Sequence, residues 1–462
     1  MELNSEFLRE IGDLLPADEA RQLIEAITTA DASVAVRLNA SKWLNLPEGA
    51  LRVPWCGRGF YLDERRQFTF DALLHAGAYY VQDASSMILQ HIVAKLVDRP
   101  VRYLDLCAAP GGKTTAAIDA LPEGSLMVSN EIMGGRGQIL KENVMKWGNT
   151  SCVVTNSDSA AVRRLAGFFD VIAADVPCSG EGMFRKDAEA VTQWTPQLVA
   201  QCATRQREIV DNAWEALRPG GYFIYSTCTY NRSENEAMVE YLISEYGASS
   251  VDLHLPDEWN ICSGIGTDAH CYRFMPHRTR GEGLFVAVVR KPGDAEAAAV
   301  KPARAKAAKG APKALVVPAE VKTWLRGDFS FSCDAQGNVI AVAAEHVDEV
   351  EMLRKDLRVI YAGVEVAAVK GKDFIPSQGL LLSTAFNREA FACYEVDYAT
   401  IMAYLRGETV AIDAPRGIVV LTYGGVAIGF VKNLGNRANN LYPREWRIKS
   451  THIPAAPPSI VG

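Results

Sequence analysis

The chain has 462 residues, a length that leaves room for about three domains of ordinary size. Hydrophobic residues make up 48% and charged residues 22%, which excludes a wholly disordered chain. Its longest uncharged apolar stretch falls short of the ~20 residues of a membrane span, and the polar start MELNSEFLRE does not resemble a signal peptide. We therefore expect a cytoplasmic protein, and the net charge of −7 argues weakly against a large nucleic-acid surface.

The ten cysteines are scattered, without C-x-x-C pairs or histidines at zinc-finger spacing, so we predict no metal site. A reducing compartment argues against disulfides as well. Most of these cysteines should therefore be small buried apolar residues, and the few that lie in motifs need another explanation.

The first part of the chain, residues 1–95, combines two helical patterns with the strand-like SVAVRLN, which predicts an α+β domain. From Val101 onward, apolar runs alternate with Gly-containing turns and helical stretches. The runs are VRYLDLC, SLMVSN, SCVVTNSD, FDVIAADVPC, GGYFIYSTC and GLFVAVVRK. This alternation predicts a parallel, doubly wound α/β sheet over residues 96–291.

An Ala- and Lys-rich segment, residues 292–314, is predicted to be a linker, either a solvated tether or an arm that contacts phosphates. Short β-like runs with few clear helices follow it. They predict a small α+β domain at 315–385 and a β-rich domain at 386–462.

The ends of the first three predicted strands carry residues suited to an adenine nucleoside. DLCAAPGGKT follows the first strand, and its glycines allow close approach of a ligand, although the segment is neither a Walker A loop nor G-x-G-x-x-G. The next strands end near Glu131 and Asp158, which are placed to accept hydrogen bonds from a ribose diol and an exocyclic amine. Because no phosphate-binding loop is present, the Gly-containing segment, Glu131 and Asp158 together favour S-adenosylmethionine over NAD or ATP.

The fourth and fifth strands bring an acid and two thiols to the same crevice. Asp175 ends the fourth strand and is placed to bond the ring nitrogen or amine of a cytosine. Cys178 and Cys228 follow neighbouring strands, where Lys113 or a nearby arginine could lower a thiol pKa.

A methyltransferase needs a thiol when the acceptor is an unreactive pyrimidine carbon. Attack of a thiolate at C6 makes C5 enamine-like, C5 takes the methyl group, a base removes the C5 proton, and the thiolate leaves. Uracil would follow the same logic, but the Asp175 partner suits cytosine better. The residues alone leave open which thiol attacks.

Three segments, DLCAAPGGKT, ADVPCSGEGMFRKD and YSTCTYNRSENE, resemble the signature blocks of the NOL1/NOP2/Sun family of RNA cytosine-5 methyltransferases. GAYYVQDASSM and RFMPHRTRGEGLFVA are also similar, and the match covers about residues 30–290. The resemblance implies a Rossmann-like methyltransferase domain with Cys228 as nucleophile, Cys178 assisting product release, and Asp175 near both cofactor and cytosine. The residues implied to bind S-adenosylmethionine are Cys107, Ala108, Ala109, Pro110, Gly111, Gly112, Lys113, Glu131, Asp158 and Asp175.

Segments outside the catalytic blocks, above all GFVKNLGNRANNLYPREWRIKS, resemble the bacterial RsmF/YebU type. That type methylates 16S rRNA in the decoding region and carries a PUA-like RNA-binding module. Residues 431–450 are basic with Tyr442 and Trp446 interleaved, a pattern that suits phosphates and stacked bases, or else a basic hairpin packed on its own domain. The predicted RNA-binding residues are Arg185, Lys186, Lys432, Arg437, Arg444, Trp446 and Arg447.

The sequence therefore predicts an S-adenosylmethionine-dependent rRNA cytosine-5 methyltransferase with RNA-binding domains on either side of the catalytic domain. Its partner would be ribosomal RNA or the small ribosomal subunit, without a metal or a membrane. The alternatives are the same chemistry on tRNA and a ribosome-assembly factor that binds rRNA without methylating it. The two thiols and Asp175 argue against the second, because a pure binder would not need Cys228. His277, near the last strand, is expected to be structural rather than an RNA contact.

Overall fold

A computed structural model describes residues 3–43, 45–294, 317–334, 336–450, 452–458 and 460–461. The predicted linker at 292–314 thus lies outside the described residues except for its first three positions. Within the described ranges no helix is long and apolar enough to cross a membrane. The same ranges contain no group of three metal-binding side chains.

The N-terminal part forms two amphipathic helices and a small antiparallel sheet. The Asn4 side chain caps the first helix by accepting a hydrogen bond from Glu6 N at 2.8 Å. Phe7 and Ile11 of that helix are buried, and Phe7 packs edge-on against Trp194 of the central α/β domain. The elements are α1 (Ser5–Leu14), α2 (Ala17–Thr29), β1 (Val34–Leu38), β2 (Arg52–Val53), β3 (Cys56–Leu62), α3 (Ala72–His75), β4 (Tyr79–Val81) and α4 (Ile88–Leu96), with sheet order β2-β3-β1-β4.

The central α/β domain contains the predicted doubly wound sheet. Its elements are β5 (Arg102–Asp105), α5 (Gly112–Ile118), β6 (Leu126–Asn130), α6 (Gly134–Trp147), β7 (Cys152–Thr155), α7 (Ser159–Val162), β8 (Phe169–Asp175), α8 (Ala188–Gln193), α9 (Pro196–Ala216), β9 (Leu217–Thr227), α10 (Glu236–Tyr246), β10 (Ser249–Ser250), β11 (Cys262–Ser263), β12 (Cys271–Phe274) and β13 (Leu284–Arg290). Five strands run parallel in the order β9-β8-β5-β6-β7. The strand order reverses between β5 and β8, which is where ligands bind in such sheets.

The last predicted strand of this sheet departs from the parallel pattern. β13 pairs antiparallel with both β9 and β12. Because β12 runs in the same direction as β9, the turn at 275–283 reverses the chain and inserts β13 between them. The turn therefore lies at the same edge of the sheet as the carboxyl ends of the parallel strands.

The C-terminal part adds two four-stranded sheets, β14-β15-β17-β18 and β19-β20-β21-β22. Its elements are α11 (Ala319–Lys322), β14 (Phe329–Cys333), β15 (Asn338–Ala343), α12 (Val347–Asp356), β16 (Val359–Ala362), β17 (Val364–Lys370), β18 (Asp373–Pro376), α13 (Gln378–Leu382), β19 (Ala392–Glu395), α14 (Tyr398–Leu405), β20 (Gly417–Tyr423), β21 (Val426–Asn433) and β22 (Ala438–Asn440). β16 joins neither of these two sheets. It pairs antiparallel with β7, the outermost of the five parallel strands. The predicted domain boundaries stay predictions.

Candidate active site

The loop after β5 forms one wall of a cavity of about 470 Å³ at the carboxyl edge of the sheet. Gly111 has φ +111°, a left-handed conformation that favours glycine, and α5 begins at the next residue. Below the loop, Asp105 is buried and accepts a hydrogen bond from Thr114 Oγ1 at 2.5 Å. Burial raises the pKa of Asp105 to about 7, so its carboxyl is readily protonated.

The predicted acids lie in this cavity with Cys107 and Ala109 of the loop. The Glu131 carboxylate is almost fully buried, and one oxygen accepts a hydrogen bond from Met133 N at 2.9 Å. Asp158 is exposed and accepts from Ala160 N at 2.8 Å, so it caps α7. Between the two acids, the side chains of Ile132 and Met133 are more than half exposed, which gives the cavity an apolar wall.

The two predicted thiols meet in the lining of the same cavity. Cys178 Sγ lies 3.2 Å from Cys228 Sγ, and Cys228 N donates to Cys178 Sγ at 3.3 Å. The hydrogen bond with Cys228 and burial raise the pKa of Cys178 well above its usual range. Cys178 is therefore a neutral thiol beside Cys228, and the expectation that a nearby cation lowers its pKa is wrong for Cys178.

Lys113, the cation that the sequence places near the thiols, is paired with a carboxylate. Lys113 Nζ lies 2.8 Å from Asp175 Oδ2, and the other oxygen of Asp175 accepts from Ser226 Oγ at 2.8 Å. Burial lowers the pKa of Lys113, but the Asp175 carboxylate outweighs burial and the net shift is upward. Lys113 therefore stays an ammonium between the loop after β5 and the end of β8.

A buried network that the sequence interpretation missed holds the two cysteine-bearing turns together. Glu181, 1% exposed, accepts from Tyr230 N at 2.7 Å, Asn231 N at 2.9 Å and Trp194 Nε1 at 2.9 Å. Each of these bonds ties the turn after β8 to another element, two of them to the turn after β9. Glu181 belongs to the block SGEGM, so its place in a signature block was the available signal.

Glu234 performs the same task from the opposite turn. It is fully buried and accepts from Ser179 N at 3.0 Å, from Gln206 Nε2 at 2.7 Å and from Asn231 Nδ2 at 2.7 Å. Burial raises the pKa of Glu234. Since Ser179 follows Cys178 directly, Glu234 fixes the backbone beside that thiol.

The comparisons with known proteins agree with this geometry. Family models described as 16S rRNA methyltransferase RsmB/F, the N-terminal domain of 16S rRNA methyltransferase RsmF and the methyltransferase RsmF PUA domain match residues 95–290, 3–84 and 391–448. The ribosomal RNA small subunit methyltransferase F of Klebsiella pneumoniae (strain 342) is 32% identical over 416 residues, covering 85% of this chain and 84% of the relative. The protein of the same name from Enterobacter sp. (strain 638) is 30% identical, covering 95% of both chains.

The chain belongs to the ribosomal RNA small subunit methyltransferase F family.

Solved structures support the fold of this family member. The crystal structure of PH0851 superposes with a TM-score of 0.57 at 21% identity, covering 63% of this chain and 66% of that chain. NSun6 from Pyrococcus horikoshii, solved with SFG, superposes with a TM-score of 0.54 at 19% identity, covering 63% and 99%. The chain is thus a methyltransferase with a Rossmann-like catalytic domain, an N-terminal domain and a C-terminal PUA domain.

S-adenosylmethionine, the methyl donor of this fold, suits the residues present. One oxygen of the buried Glu131 carboxylate lies 3.7 Å from Arg136 Nη1, beyond hydrogen-bond distance, and can accept a hydrogen bond from a ribose diol. The exposed Ile132 side chain, 58% accessible, offers an apolar face to an adenine ring. The donor would therefore lie between the loop after β5 and Asp158, with Cys178 and Cys228 in the lining of the same cavity.

The predicted RNA contacts in the catalytic domain are brought to one loop but differ in exposure. Arg185 is buried, with Nε 2.8 Å from Glu282 and Nη2 donating to Gly281 O at 2.7 Å. The Arg185 side chain therefore forms a structural ion pair with Glu282 instead of the expected contact with a phosphate. Lys186 Nζ is more accessible and lies 3.3 Å from Glu282 and 3.8 Å from Asp83.

The C-terminal segment is the expected hairpin of β21 and β22, and it brings its cations to the surface. Lys432, Arg437 and Arg444 are exposed. Tyr442, however, is only 2% exposed and packs in the PUA core, which fits the alternative of a basic hairpin packed on its own domain. Trp446 and Arg447 are half-buried and line a cavity of about 540 Å³ between this hairpin, α6 and the residues around β18.

Proposed function

We propose that this methyltransferase modifies C5 of a cytosine in the decoding region of 16S rRNA, by covalent catalysis in the cytoplasm with rRNA or the small ribosomal subunit as partner. The observation that supports covalent catalysis most strongly is the pair of thiols 3.2 Å apart at adjoining strand ends. Both thiols line the cavity that suits the methyl donor.

In the proposed reaction the Cys228 thiolate attacks C6 of the cytosine and forms an S–C6 bond. Electron density moves into the ring, where the Lys113 ammonium, 2.8 Å from Asp175, can stabilise it. Asp175 orients the base through its ring nitrogen or amine. S-adenosylmethionine supplies the methyl group to the activated C5.

Product release needs a base that takes the C5 proton, after which the C5–C6 double bond re-forms, the S–C6 bond breaks and the thiolate returns to Cys228. Cys178 assists this stage, because its neutral thiol contacts Cys228 directly. The target base must also leave its stack to reach the two thiols, an unstacking that costs a few kcal/mol. Contacts with the surrounding RNA would have to offset that cost.

A transcriptome-wide bisulfite map of 5-methylcytosine tests the proposal in wild-type cells and in cells carrying only Cys228→Ala. We expect methylation to disappear at one or a few positions in the decoding region of 16S rRNA. Loss of 5-methylcytosine in tRNA instead would support the same chemistry with tRNA as the substrate. An unchanged map would contradict the role of Cys228 and favour an assembly factor.

A further inference from the structure

The strand β16 extends the sheet of the catalytic domain, although it comes from the C-terminal part of the chain. It pairs antiparallel with β7, and Gly363 N donates to Cys152 O at 2.9 Å just beyond it. Its side chains also join the core of the catalytic domain, with Tyr361 in one hydrophobic cluster and Ala362 in another. The C-terminal part is therefore built into the sheet whose carboxyl edge carries the cavity for the methyl donor.

The chain enters β16 beside the residues that follow β7. Asn156 N donates to Arg358 O at 2.8 Å, and Arg358 N donates to Ser157 Oγ at 2.9 Å. The Arg358 side chain adds a third bond, from Nη1 to Asn156 Oδ1 at 3.1 Å. Ser157 and the next residue, Asp158, line the donor cavity. Arg358 therefore contacts the chain immediately before one wall of that cavity.

The Asn156 side chain extends this contact to the turn after β6. Its Nδ2 donates to Glu131 O at 2.7 Å and to Ile132 O at 3.0 Å. The orientation of the amide follows from its partners, because a guanidinium can only donate and carbonyl oxygens can only accept. The Asn156 amide thus uses its oxygen toward Arg358 and its nitrogen toward two consecutive peptide groups.

These two peptide groups belong to the residues best suited to the methyl donor. The buried Glu131 carboxylate suits a ribose diol, and the exposed Ile132 side chain suits an adenine ring. The turn that carries them is short, since α6 begins at Gly134. Fixing both carbonyl groups therefore also fixes the directions in which the two side chains leave the backbone, and a binding site depends on such support.

We propose that Arg358 and Asn156 are positioning residues for S-adenosylmethionine, and that the C-terminal part of the chain contributes to donor binding through them. Arg358 holds the Asn156 amide, and Asn156 holds Glu131 and Ile132 in place for the ribose and the adenine. The inference rests on the donor contacts of Glu131 and Ile132. It is independent of which RNA base is methylated and of which cysteine attacks.

Asn156→Asp tests the positioning role, because the carboxylate keeps the shape and an acceptor for Arg358 but turns an oxygen toward the carbonyls of Glu131 and Ile132. Calorimetry measures S-adenosylhomocysteine binding to the full chain without RNA. We expect Kd to rise about tenfold, since the loss of one or two hydrogen bonds is worth roughly that factor. In the protein without S-adenosylhomocysteine, hydrogen exchange should become faster at the Met133 amide, which bonds to the Glu131 carboxylate at 2.9 Å.

Arg358→Ala tests whether the C-terminal part acts through Asn156, because it removes the guanidinium and leaves the backbone bonds in place. We expect the S-adenosylhomocysteine Kd to rise about threefold. Added to Asn156→Ala, it should cause no further rise, since residues that act through one another are not additive. The matched control is Arg354→Ala on α12, whose guanidinium lies 2.7 Å from Glu351 and which should keep the wild-type affinity.

Asn149→Ala separates donor affinity from general stability. The Asn149 side chain accepts a hydrogen bond from Ser151 N at 2.8 Å, at the opposite end of β7 from Asn156. Its loss should lower the melting temperature and leave the affinity for S-adenosylhomocysteine unchanged.

Three outcomes would overturn the inference. The first is wild-type S-adenosylhomocysteine affinity in Asn156→Asp, or an equal loss of affinity in Asn149→Ala. The second is a further loss when Arg358→Ala is added to Asn156→Ala, because Arg358 would then act independently of Asn156. The third is wild-type affinity in Glu131→Ala, which would remove the contact that Asn156 positions. Failure of the proposed function is distinguishable, since these measurements contain no RNA and the methylation map depends on it.

Discussion

The turns that carry Cys178 and Cys228 differ in the bonding of their buried polar groups from the groove between the N-terminal sheet and the catalytic domain, which is lined by residues 31–35, 62–65, 81–83, 185–186 and 276–281. In the turns, Glu181 and Glu234 accept hydrogen bonds from several elements at 2.7–3.0 Å. In the groove, one buried polar atom in each of three residues has no partner in the described structure: Ser33 Oγ, Gln82 Nε2 and His277 Nδ1. The difference indicates that hydrogen bonds within the protein fix the turns that carry the two thiols more fully than the wall of the groove.

Cys178→Ala should give the largest change that leaves the nucleophile in place. Cys178 touches Cys228 and assists release, so we expect turnover to fall at least ~10²-fold, as when a positioned proton-transfer group is lost. A protein–RNA adduct should accumulate on denaturing gels. The control is Cys333→Ala, an exposed thiol in β14 that should behave like the wild type. Normal turnover in Cys178→Ala would contradict the paired-thiol mechanism.

Glu234→Ala should disrupt the hydrogen bonds that hold the two cysteine-bearing turns together, without removing a reacting group. The substitution leaves Ser179 N, Gln206 and Asn231 without their shared acceptor, so we expect a loss of about 3–5 kcal/mol in unfolding free energy. Urea unfolding measures this directly. Glu234→Gln, which keeps the shape and one acceptor, should lose less; equal losses in the two variants would mean that the network contributes only packing.

The pH dependence of stability tests the role of Asp105, the buried acid below the loop after β5. Its folded pKa of about 7 lies above the ordinary value, so Asp105 contributes stability at low pH and loses it as pH rises through 7. Asp105→Asn is neutral throughout and should retain the bond from Thr114. Between pH 5 and 8.5 we expect the unfolding free energy of the wild type to fall by up to a few kcal/mol more than that of the variant. Melting temperatures measured across that pH range test this. An equal change with pH in the two proteins would contradict the prediction.

The smallest effects should come from the PUA hairpin, where the contacts are exposed and electrostatic. Lys432→Ala or Arg437→Ala should each weaken binding to 16S rRNA a few-fold and lower the salt slope by about one. Lys372→Ala, an exposed lysine in the turn between β17 and β18, is the control. An unchanged salt slope in both hairpin variants would move RNA recognition away from this surface.

The sequence was most informative where chemistry and strand ends coincide. Glu131, Cys178 and Cys228 were each placed in one crevice from their positions after apolar runs, and the structure brings them to one cavity. Their roles stay predictions, but their proximity follows from the common edge of a parallel sheet.

The sequence was least informative about contacts between distant segments. Arg37 in β1 donates to Gln82, which directly follows β4, and the Arg185–Glu282 pair joins residues 97 positions apart. Nor could the pattern of β16 show that it would leave its neighbours and pair with β7. Tyr442 reads as an exposed aromatic between cations, yet tertiary packing buries it. These features depend on pairing across the fold, which local composition does not encode.

The most direct test of the proposed mechanism is to identify the cysteine that bonds to the cytosine. A 16S rRNA transcript containing 5-fluorocytidine would trap the adduct, because fluorine at C5 cannot leave as the proton does. Mass spectrometry of the cross-linked peptide should find the nucleotide on Cys228. An adduct on Cys178, or turnover without any adduct, would contradict covalent catalysis by Cys228.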